Sequence, residues 1–163
     1  RFNLCGARIG CLASKNKKVI ETALKFAQGR LSSPTFEQLA VIPLLKNSQR
    51  YTRSMVTEYQ KRRDIIVTVL CGISGTFCFL PEGAFYTITP LPVDNAEHFS
   101  QWLLEKFNYK KETVMLAPGN GFYVSKGLGT NEVRIAYVLN RPKLKRAMMI
   151  LNKAMAKYKE EFD

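Results

Sequence analysis

The chain opens with a strand-like run of small and apolar residues and then shifts to helical spacing. The residues around Arg8 predict a short buried strand over 7–13. After a polar break, apolar residues recur every three or four positions over 19–28, a spacing typical of an amphipathic helix. Gly29 follows directly, and glycine is the residue that most often ends a helix. A strand followed by a helix indicates an α/β arrangement at this end of the chain.

Two further helices are predicted in the middle of the chain. Ser33 is a predicted cap for a helix that begins at Pro34. Pro43 should kink or interrupt this same helix. Ser48 is a second predicted cap, for a long amphipathic helix that reaches Leu70 and ends at Gly72. This helix is long enough to connect two domains.

Beyond Gly72 the pattern alternates between short strands and helices. Strands are predicted where aromatic and β-branched residues lie between Gly and Pro, and helices where apolar spacing returns to three and four. The predicted elements are strands over 76–80 and 84–88 joined by the turn at 81–83, a helix capped by Asp94 or Asn95 and running through Phe107, a strand over 111–116, an alternating strand over 133–139, and a last helix from Pro142 that aligns Leu144, Met148, Leu151 and Met155.

This order of elements predicts an α/β fold made of two unequal domains. Residues 1–50 are expected to be the end of a larger domain built from strand and helices. Residues 51–163 are expected to comprise the long connecting helix and a small α+β domain with its own, mostly antiparallel sheet.

Charge and composition narrow the functional classes. The formal net charge of +12 raises the possibility of nucleic-acid binding. The basic residues are nevertheless scattered over three helices, without zinc-finger spacing or an aromatic-interleaved RNA motif, so no nucleic acid is expected as a partner. No apolar run approaches the roughly 18 residues of a membrane helix, so no membrane partner is expected either.

The cysteines and the single histidine argue against a metal site. The four cysteines lie in apolar contexts without CxxC spacing, and the chain has one histidine. We expect buried thiols of an intracellular protein. The cysteines are Cys5, Cys11, Cys71 and Cys78.

Two arginines in apolar surroundings are the main chemical signal. Arg8 lies among small residues of the first predicted strand, and Arg134 lies inside the strand over 133–139 on the face opposite the bulky side chains. A buried guanidinium needs an anionic partner because an unpaired interior charge is costly. Arg8 could instead be a surface residue of an edge strand, but the two arginines together indicate a ligand with separate anionic groups.

The order of five motifs resembles that of the pyridoxal-phosphate-dependent aminotransferases of class I and fold type I, the aspartate aminotransferase family. The motifs extend over almost the whole chain. They are GARIG, SSPTFEQLA, PEGAFYTI, LAPGNGF and NEVRIAYVL.

The resemblance implies a role for each arginine and a missing nucleophile. Arg8 corresponds to the arginine that binds the phosphate of the cofactor, pyridoxal 5′-phosphate, and Arg134 to the one that binds the substrate α-carboxylate. The family's Schiff-base lysine falls one residue before Arg1. The partner of the pyridine nitrogen and the ring-stacking aromatic also belong to the upstream half. The resemblance therefore implies the carboxy-terminal part of an aminotransferase, inactive alone, whose residues 1–50 end the large cofactor-binding domain.

The resemblance also implies substrates and partners. It favours aspartate and 2-oxoglutarate as the amino-acid and 2-oxo-acid pair, with Arg30 in the RLSSP loop as a candidate for a distal carboxylate. It implies a cytoplasmic homodimer completed by the amino-terminal half of the same enzyme. Three alternatives stay open: another fold type I enzyme with a different amino acid or a lyase reaction, a basic nucleic-acid-binding module, and a purely structural assembly unit.

Overall fold

The computed structural model describes residues 2–162, which form two compact units that divide between Val56 and Thr57. The helices are α1 (Lys17–Gln28), α2 (Thr35–Lys46), α3 (Ser48–Cys71), α4 (Ala96–Glu105) and α5 (Arg141–Phe162), and the strands are β1 (Tyr86–Pro90), β2 (Ala117–Pro118) and β3 (Glu132–Ala136). Two short 3-10 helices occupy Cys5–Ala7 and Asn120–Phe122. The predicted boundary at residue 50 stays a prediction.

The first unit consists of helices without a buried core. It contains α1, α2 and the first part of α3, which continues into the second unit. The three helices predicted from apolar spacing are present, and α3 ends at Cys71, directly before Gly72 as predicted.

The predicted cap at Ser33 is wrong, because the N-cap of α2 is Pro34 and makes no side-chain cap bond. Pro43 does not interrupt α2, which continues to Lys46, and the predicted kink stays a prediction. Pro43 has no amide hydrogen, so the carbonyl of Leu39 lacks its usual donor within the helix. The side chain of Leu39 is 58% exposed, so water can reach this part of the helix.

The second unit contains a three-stranded antiparallel sheet in the order β1-β3-β2. This confirms the small antiparallel sheet and the mixture of helix and strand predicted after the long helix. The predicted strands over 76–80 and 111–116 are wrong. Neither segment joins the sheet. The carbonyl of Phe77 accepts a 2.7 Å bond from Thr89 Oγ1, and Thr113 Oγ1 donates to Leu103 O at 2.6 Å.

Apolar side chains from α3, α4, β3 and α5 form the core of the second unit. Burial of this apolar surface is the main favourable term in its folding. The aligned residues of the last helix are all buried, as predicted. The most deeply buried members include Ile66, Leu70, Phe99, Leu103, Val133, Tyr137, Leu144 and Leu151.

The cysteines do not fit the prediction of buried thiols. Cys5, Cys11 and Cys71 are exposed, and Cys78 is half-buried. Apolar neighbours in sequence misled the prediction here, because the segments that carry Cys5 and Cys11 join no sheet in the structure described. Within residues 2–162, no cluster of side chains could hold a metal ion, and no helix has the length and apolar character to cross a membrane.

Candidate carboxylate-binding site

Arg134 lies in the middle of the central strand of the sheet. It is opposite Ile88 of β1 on one side and Ala117 of β2 on the other. Its neighbours Val133 and Ile135 point into the core and are buried, whereas Arg134 is half-buried on the opposite face. The predicted alternation is confirmed for Val133 and Ile135 and places a cation on the open face of the sheet, but the predicted strand over 133–139 is too long, because β3 ends at Ala136 and Leu139 is exposed.

Two aromatic rings flank the guanidinium of Arg134. Its central carbon lies 4.6 Å from the ring centre of Phe122 and 5.5 Å from that of Tyr86. Contacts of this kind attract a cation to the face of the ring without using its N–H donors. The planar group is thus held in place while its donors stay available for a carboxylate.

Glu132, the acidic residue on the same face of β3 as Arg134, is already hydrogen-bonded to Tyr123. Glu132 is two positions before Arg134, so its side chain leaves the strand on the same side. Glu132 Oε2 accepts a hydrogen bond of 2.6 Å from Tyr123 Oη, and this bond, more than burial, raises the pKa of Tyr123. Among residues 2–162, Arg134 makes no hydrogen bond and no ion pair. Its donors are therefore available to an anion from outside this set of residues.

The PGNGF motif positions Phe122 beside the strand. The amide of Gly119 donates to Glu132 O at 2.7 Å, and the short helix Asn120–Phe122 begins directly afterwards. A Cβ at residue 119 would lie 2.7 Å from Glu132 Cβ, so only glycine permits this approach. Sequence reasoning missed Phe122 and Tyr86 as site residues, although they lie inside the motifs LAPGNGF and PEGAFYTI.

Arg8 does not lie on a strand. It follows the 3-10 helix Cys5–Ala7 in a left-handed conformation with φ of 50°, and it is exposed. The predicted buried strand over 7–13 is wrong because no strand among residues 2–162 pairs with this segment, and its amides bond locally instead. Arg8 Nη1 donates a long 3.3 Å hydrogen bond to Cys5 O, which leaves most of the guanidinium donors available.

Arg30 is an exposed residue just after the end of α1. Its amide donates to Ala27 O at 3.0 Å, which closes the last turn of the helix. No hydrogen bond joins Arg30 to Arg8 within residues 2–162. Both arginines belong to the first unit and Arg134 belongs to the second, so the roles of Arg8 and Arg30 stay predictions.

The comparison with protein families identifies the chain. Residues 1–151 match the family described as aminotransferase class I and II. The chain belongs to this family. It corresponds to a carboxy-terminal portion, which confirms the resemblance drawn from the five motifs.

Known relatives include aminotransferases with different substrates. The chain is 30% identical over 158 residues to an aspartate aminotransferase of Pyrococcus horikoshii, and 31% identical over 150 residues to an LL-diaminopimelate aminotransferase of Desulforudis audaxviator. These alignments cover 94% and 90% of this chain but 38% and 36% of the relatives. The chain therefore spans little more than a third of the length of these relatives.

A solved aminotransferase shares the fold. The structure of LysN, the α-aminoadipate aminotransferase of Thermus thermophilus, superposes with a TM-score of 0.69 and 23% identity, covering 86% of this chain and 36% of that protein. LysN was solved in complex with N-(5′-phosphopyridoxyl)-L-leucine. Its similarity supports the α/β fold predicted from the sequence.

Proposed function

We propose that this chain supplies the substrate-carboxylate site of a pyridoxal-phosphate-dependent aminotransferase. The observation that carries the proposal is Arg134, a half-buried cation between two rings that has no anionic partner among residues 2–162. Membership of the aminotransferase family supports the assignment. The site would bind the α-carboxylate shared by amino-acid and 2-oxo-acid substrates.

Arg134 would act by binding and orientation. Its fork donates two parallel hydrogen bonds to the carboxylate oxygens, which fixes both the position and the plane of the substrate. Phe122 and Tyr86 keep the fork from turning and reduce the number of conformations lost when the substrate binds. Correct orientation of a reacting bond is worth several kcal/mol of the barrier.

The residues near Arg8 are compatible with the phosphate of the cofactor. Arg8 is exposed, has donors available, and is followed by Gly10, where an added Cβ would meet nothing within 4 Å. Arg8 would anchor the phosphate through charge-assisted hydrogen bonds. Pyridoxal phosphate, when bound, supplies a conjugated ring that accepts the electrons released at the substrate α-carbon. Since the chain spans little more than a third of the length of its relatives, we expect amino transfer to need the remaining sequence of the enzyme.

Aspartate and 2-oxoglutarate are the proposed substrates. The similarity to the Pyrococcus aspartate aminotransferase supports this pair, whereas the similarity to the LL-diaminopimelate enzyme supports a different amino acid. Arg30 is the proposed partner of a distal carboxylate. The RLSSP loop that carries it resembles a segment that reaches the partner subunit, so the proposal includes a homodimer, located in the cytoplasm.

The test uses the longer protein that joins this chain to the amino-terminal part of the enzyme. Absorption spectra with pyridoxal phosphate are recorded before and after addition of aspartate, for the wild type and for Arg134→Ala. We expect aspartate to convert the cofactor to its aminated form in the wild type, and Arg134→Ala to require roughly a hundredfold more aspartate, since about 3 kcal/mol of charge-assisted bonding is lost.

Two controls make the result specific. Arg141→Lys alters an exposed arginine outside the site and should leave the aspartate titration unchanged. Product analysis distinguishes amino transfer, which yields a 2-oxo acid, from a lyase reaction. Failure of the longer protein to bind pyridoxal phosphate would refute the cofactor assignment, and equal titrations for the wild type and Arg134→Ala would refute the role of Arg134.

A further inference from the structure

Three cationic side chains surround the ring of Tyr109 in the segment between α4 and β2. The charged groups of Lys153, Arg146 and Lys110 lie 5.2, 5.5 and 5.8 Å from the ring centre. Lys110 and Lys153 are exposed, and Tyr109 itself is half-buried against the core of the second unit. We call these four residues the Tyr109 cluster. No part of it belongs to the proposed substrate site.

A tight hairpin turn brings Lys110 to the ring. The amide of Tyr109 donates to Glu112 O at 2.9 Å, and the amide of Glu112 donates to Tyr109 O at 3.1 Å. Lys110 and Lys111 between them have φ of 54° and 66°, a conformation for which Asn and Gly are the usual residues. The side chain of Asn108 supports the turn by accepting a 2.9 Å bond from the Lys111 amide. Two lysines thus occupy positions where local conformation favours other residues.

The helix α5 supplies the other two cations. Arg146 and Lys153 are seven residues apart, so they lie on one face of the helix about 10 Å apart along its axis. Arg146 is held by Glu112, whose Oε2 accepts bonds of 2.9 and 2.7 Å from Nε and Nη2. Because Nε and Nη2 make both of these bonds, the Nη1 group of Arg146 stays available. With Glu112 included, the cluster retains two net positive charges.

We propose that the Tyr109 cluster binds an oligophosphate, a ligand with two or more linked phosphate groups. The cations come from a hairpin and from positions about 10 Å apart along α5, and a chain of phosphate groups can span such positions and contact several of the cations. Phosphate oxygens suit both ammonium and guanidinium donors. Single-stranded nucleic acid is a poorer match, since proteins that bind it offer open aromatic faces for base stacking and this ring is surrounded by cations.

The test titrates the 163-residue chain with sodium tripolyphosphate at constant ionic strength and follows binding by calorimetry. We expect one saturable site. Lys110→Gln and Lys153→Gln should each weaken binding about fivefold or more, as expected for the loss of one close charge pair. Lys143→Gln and Lys145→Gln remove the same charge from exposed positions of α5 outside the cluster and should have little effect. Circular dichroism of all four variants establishes that the fold is retained.

Three results would overturn the proposal. An absence of tripolyphosphate binding is the first, and equal weakening by all four variants, which would indicate a diffuse response to net charge, is the second. Tighter binding of a short single-stranded DNA than of tripolyphosphate would assign the cluster to nucleic acid instead. Arg134→Ala should bind tripolyphosphate like the wild type, so the result is independent of the proposed aminotransferase activity.

Discussion

At the scale of single residues, the two glycines of the PGNGF motif have different roles. Gly119 touches the backbone of β3, where an added Cβ would lie 2.9 Å from Glu132 O, whereas an added Cβ at Gly121 would meet nothing within 4 Å. The sequence predicts a turn here but cannot separate these two positions, because the contact depends on a strand thirteen residues away.

Gly119→Ala should therefore destabilise the protein, and Gly121→Ala is its matched control. Overpacking against backbone costs about 1–3 kcal/mol, so we expect a loss of that size in the free energy of unfolding for Gly119→Ala. Urea denaturation followed by tryptophan fluorescence of Trp102 measures it. Equal stability of the two variants would contradict the close approach of residue 119 to β3.

The cysteines offer a second test at this scale. Burial raises the pKa of Cys78, so a smaller fraction of it is thiolate near neutral pH, and its half-buried sulfur is also less accessible. At pH 8, iodoacetamide should modify Cys5, Cys11 and Cys71 roughly tenfold faster than Cys78, as measured by mass spectrometry of peptides. In concentrated urea the four rates should converge. Preferential modification of Cys78 in the folded protein would be inconsistent with its burial.

At the scale of elements, helices could be predicted from the sequence and several strands could not. The stripe from Leu144 to Met155 and the cap at Asn95 depend on residues within one or two turns, so local pattern is sufficient for them. A strand exists only where a neighbour accepts its backbone hydrogen bonds. The segments 7–13, 76–80 and 111–116 have strand-like composition but no such neighbour in the structure described.

The cap of α4 yields a prediction at this scale. Asn95 Oδ1 accepts bonds of 2.9 and 3.2 Å from the amides of Glu97 and His98, and α4 carries Phe99, Trp102 and Leu103 into the core. Asn95→Ala should lower the free energy of unfolding by about 1 kcal/mol. Asn152→Ala, at an exposed position inside α5, is the control and should not destabilise the protein. If Asn95→Ala had the same free energy of unfolding as the wild type, the cap would contribute nothing to stability.

At the scale of the molecule, the two units differ in how much apolar surface they bury. The small α+β sheet and helices predicted from the sequence are present, and the buried core lies within residues 57–162. None of residues 2–56 is buried, and large apolar side chains such as Phe26, Leu31 and Phe36 are 78, 86 and 85% exposed. The apolar spacing of a helix predicts which of its faces is apolar, but it does not identify the part of the protein that covers this face.

Hydrogen exchange should separate the two units in the isolated chain. A helix without a buried face has little stability of its own, because most helical stability in proteins comes from tertiary packing. We therefore expect the amides of α1 and α2 to exchange orders of magnitude faster than those of β3 and α5, as measured by mass spectrometry or NMR. In the longer aminotransferase that we propose, the added domain would cover these helices and slow their exchange, while β3 and α5 would change little. Equal protection of α1 and β3 in the isolated chain would contradict this view, since it would require the first unit to be stable without a core of its own.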